Sequence, residues 1–91
     1  MGDEAHIAHS ARRHGIEDAD IEHALRHYLA TAEVDVNDQD EARRVLLLGP
    51  SRSGNLLEIV LVERDDGSAI VIHAMKMRPA FRGLLPGRED R

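Results

Sequence analysis

At 91 residues the chain has room for one domain, whose single core suffices but keeps little stability in reserve. The absence of cysteine excludes a disulfide framework and thiolate metal sites, and no apolar run approaches the roughly 20 residues that span a bilayer. A net charge of -5 argues against non-specific coating of nucleic acid, and an aromatic content of 2%, Tyr28 and Phe81 alone, excludes binding by stacking successive bases on aromatic side chains.

The polar start MGDEAHIAHSARR lacks an apolar signal core, which predicts a soluble cytoplasmic protein with no membrane partner. Asp3 is placed to cap a first helix with a narrow stripe of Ile7, Ala8 and Ala11, terminated by Gly15 in a left-handed conformation. His6, His9 and Arg13 fall on its solvated side, and His14 is read as a capping residue favoured by the helix dipole. A second helix begins at Glu17, with Ile16 as a hydrophobic staple and Glu17, Asp18 and Asp20 at its positive end. Ile21, Ala24, Leu25 and Tyr28 follow the i, i+3, i+4, i+7 rule, so that face is expected in the core and the helix is expected to end near Leu29. His23 and His27 share a helix side four residues apart, but on the polar face, without the Glu of an HExxH motif and without a third ligand. They read as solvated histidines, and no metal is expected.

Residues 31–36 alternate as an edge strand, and the polar turn 37–41 lacks the glycine and terminal glutamate of a calcium loop. Residues 43–48 make the next strand, whose VLLL run predicts burial on both faces. GPSRSGNL begins as G-x-x-x-x-G but continues into Asn55-Leu56 and a strand, so it is a hairpin loop and not a phosphate loop. Arg52 at its tip reads equally as a solvated cation or a phosphate contact.

Two runs rich in Val, Ile and Leu then flank Asp65-Asp66-Gly67-Ser68, a strong hairpin signal. With Asp66-Gly67 as a two-residue turn, Leu61 opposes Ile72, Ile59 opposes Ala74 and Val62 opposes Val71. Leu57, Ile59, Leu61, Ile70, Ile72 and Ala74 then form the face for the helices to cover. The other face carries Val60, Val62, Arg64, Val71 and Met75 together with Glu58 and His73, diagonal neighbours at roughly 7 to 8 Å between backbones and within side-chain reach. Pro79 stops the strand, Phe81, Leu84 and Leu85 are expected to tuck back against the sheet, and Met75 and Met77 are expected to serve packing. The expected architecture is a single α+β domain, with a helical pair over 1–30 packed on one face of a three- or four-stranded antiparallel sheet over 31–79, and a tail over 80–91.

The charge is split between the halves. Residues 1–42 hold 3 Arg against 11 Asp and Glu, whereas residues 43–91 hold 9 Lys and Arg against 6 acids. The strand that carries His73 runs into Lys76, Arg78 and Arg82, which places any chemistry at that end of the molecule.

The segments HSARRHGIEDADIEHAL, GNLLEIVLVE and IVIHAMKMRP resemble the BrnT-like toxins within the RelE-type ribonuclease toxin superfamily. In that group a strand ending in I-S-A-R-K carries cationic residues linked to RNA cleavage. Here Ile72-His73-Ala74-Met75-Lys76 matches it at Ala74 and Lys76, with Met75 in place of the Arg and His73 in place of the Ser. The resemblance implies a RelE- or BrnT-like fold and the toxin of a toxin-antitoxin pair that cleaves RNA without metal or cofactor. His73 or Glu58 would transfer protons, Lys76 and Arg78 would stabilise the transition state, and Arg52, Arg64 and Arg82 would hold phosphates. An antitoxin would then cover the basic edge of Arg52, Lys76 and Arg78. The alternative is a non-catalytic module of the same fold that binds a protein partner or a second copy of itself, with His73 a structural histidine bonded to Glu58.

Overall fold

In the computed structural model, which describes residues 5–34 and 43–87, the aliphatic runs form three eight-residue strands: β3 (Arg43–Pro50), β4 (Leu56–Glu63) and β5 (Ala69–Lys76). They are joined by α1 (Asp18–Arg26), the short strands β1 (His6–Ile7) and β2 (Ala30–Glu33), and two 3-10 helices, η1 (His9–Arg12) and η2 (Pro79–Leu84). The five strands lie in the order β1-β5-β4-β3-β2, with β1 parallel to β5 and every other pair antiparallel.

This overturns two parts of the expected architecture. The sheet is five-stranded and mixed, and α1 is the one α-helix among the described residues. The expected first helix is replaced by β1 and a single 3-10 turn. A ten-residue segment with one bulky apolar side chain gains little as a helix. Ile7 instead buries itself by extending the sheet beside Val71, and the Ala8 N–H donates to the Val71 carbonyl at 2.9 Å. Gly15 does adopt a positive φ of 78°, as the terminator of a turn after η1. The proposed cap Asp3, the turn 37–41 and most of the GREDR tail lie outside the described residues.

One face of the sheet carries Leu47, Leu57, Ile59, Leu61, Val71 and Ala74, covered by Ile21, Ala24 and Leu25 of α1 together with Ile7 and Ala11. Ile21 is fully buried, and a side chain of this kind contributes about 1.5 to 3 kcal/mol on leaving water. Tyr28 does not join this core. The helix stops at Arg26, two residues before it, and Tyr28 is 52% exposed. The closeness of α1 to β3 depends on Gly49, where an added Cβ would stand 2.6 Å from the Ala24 carbonyl oxygen and 3.1 Å from the Tyr28 Cα. Val45, Leu46, Leu47 and Leu48 are all buried, as the VLLL run predicts for a strand covered on both faces.

The β4–β5 hairpin departs from the expected register near its turn and regains it further on. Arg64 N–H donates to the Ser68 carbonyl at 2.9 Å and Gly67 N–H to the Arg64 carbonyl at 3.0 Å, so the loop is Asp65-Asp66-Gly67, with Gly67 at φ 90°. The extra loop residue moves Leu61 opposite Val71 and Val62 opposite Ile70. A bulge between Val60 and Leu61 then leaves Ile72 unpaired and restores the expected pairs, Val60 with His73, Ile59 with Ala74 and Glu58 with Met75. Val71 thereby takes the core position expected for Ile70 and Ile72.

Candidate functional site

The face of the sheet turned away from α1 carries the polar constellation. Glu58 on β4 and His73 on β5 are diagonal neighbours there, because Val60 pairs with His73 while Glu58 pairs with Met75. The carboxylate is 1% exposed, an environment in which an unpaired charge is costly. It has partners on both oxygens. His73 Nε2 lies 3.0 Å from Oε2. Arg78, just past the end of β5, donates its backbone N–H to Oε1 at 3.0 Å, its Nε to Oε1 at 3.0 Å and its Nη2 to Oε2 at 2.6 Å. Pro79 starts η2 immediately afterwards and turns the chain, so that backbone and side chain of one arginine converge on one carboxylate.

Burial pushes the Glu58 carboxyl up, but the hydrogen bonds from Arg78 and His73 outweigh it and hold the group below the usual carboxylate range. Ionised Glu58 only accepts, so His73 must donate through Nε2–H. That fixes the tautomer and leaves Nδ1 as the ring's acceptor.

A cavity of about 480 Å³ opens beside these groups. Glu33, Glu58, His73 and Arg78 are the polar residues of its lining, and Leu46, Val60 and Phe81 are among the apolar side chains of its wall. Phe81 sits under the Arg78 guanidinium, whose Cζ is 5.5 Å from the ring centroid, a cation–π contact. On another side of His73 stands His14, its ring centroid 5.7 Å away with an interplanar angle of 76°.

Of the residues expected from sequence, Glu58, His73 and Arg78 come together. Lys76 does not join them, since it pairs with Leu57 and so lies on the α1 side of the sheet. Arg52 is engaged elsewhere: its Nε and backbone N–H donate to Asp20 Oδ1 at 2.8 and 3.0 Å and its Nη2 to Glu17 Oε1 at 2.6 Å. These bonds tie the β3–β4 loop to the start of α1 and lower the Asp20 carboxyl. Arg64 stands at the hairpin loop, about 20 Å along β4 from Glu58. Arg82 is exposed on η2, next to Phe81. The expected basic edge of Arg52, Lys76 and Arg78 therefore has two of its three cations bound to carboxylates of the chain itself.

Two contributors escaped the sequence reading. Phe81 was expected to tuck against the sheet but not to meet Arg78, a contact that depends on the extended Arg78 leading into the turn of η2. His14 had no signal in the sequence, because its approach to His73 depends on β1 pairing with a strand from the other end of the chain. His23, expected in solvent, is half-buried with Nδ1 2.9 Å from the Pro50 carbonyl, and its ring lies 4.4 Å from that of His27. Among the described residues no group of three or more His, Asp and Glu is placed to hold a metal ion, and no helix is long and apolar enough to cross a membrane.

No protein-family model matches the chain, and neither does a curated protein or a solved structure.

Proposed function

We propose that this protein is a ribonuclease that uses the 2′-hydroxyl of its RNA substrate as nucleophile, with His73 as the proton-transfer residue. The observation that carries the reading is the bond from His73 Nε2–H to buried, ionised Glu58 in the lining of the cavity. A carboxylate so placed orients the ring, keeps Nδ1 free to take a proton and stabilises the imidazolium that results. Arg78 serves Glu58 first, yet its side chain is 56% exposed and its Nη1 lies outside the bonds to Glu58. That nitrogen is available to a phosphate oxygen. The cavity has the volume and apolar wall for one nucleobase, with Phe81 as a stacking surface worth about 1 to 3 kcal/mol. The partner that goes with this reading is an antitoxin whose bound segment covers Arg78 and the cavity.

The test is cleavage of a single-stranded RNA in the presence of a chelator. His73→Ala is expected to lower the rate by roughly 100-fold or more, the usual cost of removing a proton-transfer group, while the variant stays folded at the assay temperature by circular dichroism. A variant that cuts as fast as the parent makes His73 structural. A parent that cuts no RNA, when purified free of any antitoxin, replaces the enzyme with a protein-interaction module of this fold.

A further inference from the structure

Resting on that ribonuclease reading, we propose that His14 is a second catalytic residue, the general acid to His73's general base. The two rings are in edge contact, with centroids 5.7 Å apart. Rings at that spacing have room to present one nitrogen each to different oxygens on one phosphorus, the reach of a proton transfer being about 2.6 to 3.2 Å.

His14 is exposed, and an exposed imidazole on a turn has no packing reason to stay where it is. Three anchors hold its segment. Ser10 Oγ donates at 3.0 Å to the carbonyl of Ile72, the bulge residue immediately before His73. Arg12 grips Asp18 through Nε at 2.9 Å and Nη2 at 2.8 Å, joining η1 to the first turn of α1. Gly15, at φ 78°, lets the chain reverse directly after His14. The Arg12–Asp18 pair is about half exposed and so adds little stability, which leaves its geometric effect, the placing of the turn, as the main one.

The order of groups across the sheet face sets the polarity of the substrate. The cavity takes the base of the nucleotide whose 2′-hydroxyl attacks, and His73 Nδ1 removes that hydroxyl's proton. The 2′-oxygen forms a bond to phosphorus, the bond from phosphorus to the 5′-oxygen of the next nucleotide breaks, and protonated His14 supplies the proton to the departing oxygen. The products are a 2′,3′-cyclic phosphate and a 5′-hydroxyl. His73 ends protonated and His14 neutral, and exchange with water resets both. The departing strand then passes toward η1, where His9, Arg12 and Arg13 line a second basin of about 560 Å³.

The experiment compares an oligoribonucleotide with uridine 3′-(4-nitrophenyl phosphate), whose nitrophenolate leaves without a proton. His14→Ala, and His14→Gln as a check on side-chain volume, are expected to lower RNA cleavage about 100-fold and to leave ester cleavage near the parental rate. His73→Ala lowers both. Equal losses on the two substrates in the His14 variants overturn the proposal by making the residue a positioning one, and so does an unchanged rate on RNA. A parent inactive on both substrates sinks the ribonuclease reading itself, a result distinct from either of those.

Discussion

Glu58 lies under the sheet face with almost no contact with water, and its charge is sustained by four short contacts from Arg78 and one from His73. Truncating the arginine removes its three guanidinium contacts and leaves the buried carboxylate only the backbone N–H of residue 78 and His73, so Arg78→Ala is expected to destabilise the fold. A calorimetric melt should show this as a lowered Tm. The sign of the pH effect follows from the lowered Glu58 group. Its stabilisation is fully present above the unfolded carboxylate range, about 4.3, and is lost as pH falls through the folded value beneath it. Glu58→Gln should therefore be less stable at neutral pH and should lose less on acidification than the parent. Asp18, Asp20 and Asp66 are shifted the same way and keep part of the acid slope. The Glu58–His73 pair was legible in the sequence because hairpin pairing is local arithmetic. Arg78 was legible as a cation near the site but not as the partner of Glu58, since that role needs the turn at Pro79 to aim N–H and guanidinium together.

Among the elements, the β4–β5 hairpin shows how a register can be wrong near the turn and right at the site. The alternation of Val, Ile and Leu identified both strands, but Asp-Gly alone does not distinguish a two-residue loop from a three-residue one, and nothing in AIVIHAMK marks the bulge. The loop and the bulge each insert one residue on the same hairpin, and their effects cancel before His73. The first helix failed as a prediction for a different reason: local capping and a three-residue stripe cannot compete with a free sheet edge that accepts Ile7. The packing of α1 offers a direct check. Gly49→Ala places a methyl group against a backbone oxygen that cannot swing aside, so it should cost about 1 to 3 kcal/mol in a denaturant titration. Gly83→Ala meets nothing within 4 Å and should stay within about 0.5 kcal/mol of the parent.

For the whole molecule, a net charge of -5 and the diversion of Arg52 to Asp20 and Glu17 leave few cations for a nucleic acid. If about two phosphates are engaged near the site, binding to single-stranded RNA should weaken with salt at a log–log slope of roughly -1.4, well short of the steep dependence of a basic RNA-binding surface. Fluorescence anisotropy over a salt series measures it, and Arg52→Ala should leave the slope unchanged. The α+β class, the long strands and the aliphatic core were readable from periodicity, whereas the parallel β1 strand was not, because no local pattern reports a partner at the far end of the chain. That pairing also dictates when the protein comes into being during its synthesis. The bond from Ser10 to Ile72 spans 62 residues, and β1 has no neighbour until β5 exists. At about 5 to 20 residues per second, translation leaves the first segment waiting several seconds for its strand, so the two histidines meet only after β5 has been made. Until then the N-terminal segment has no sheet edge to join, and the contact between its histidine and that of β5 is a late event of folding.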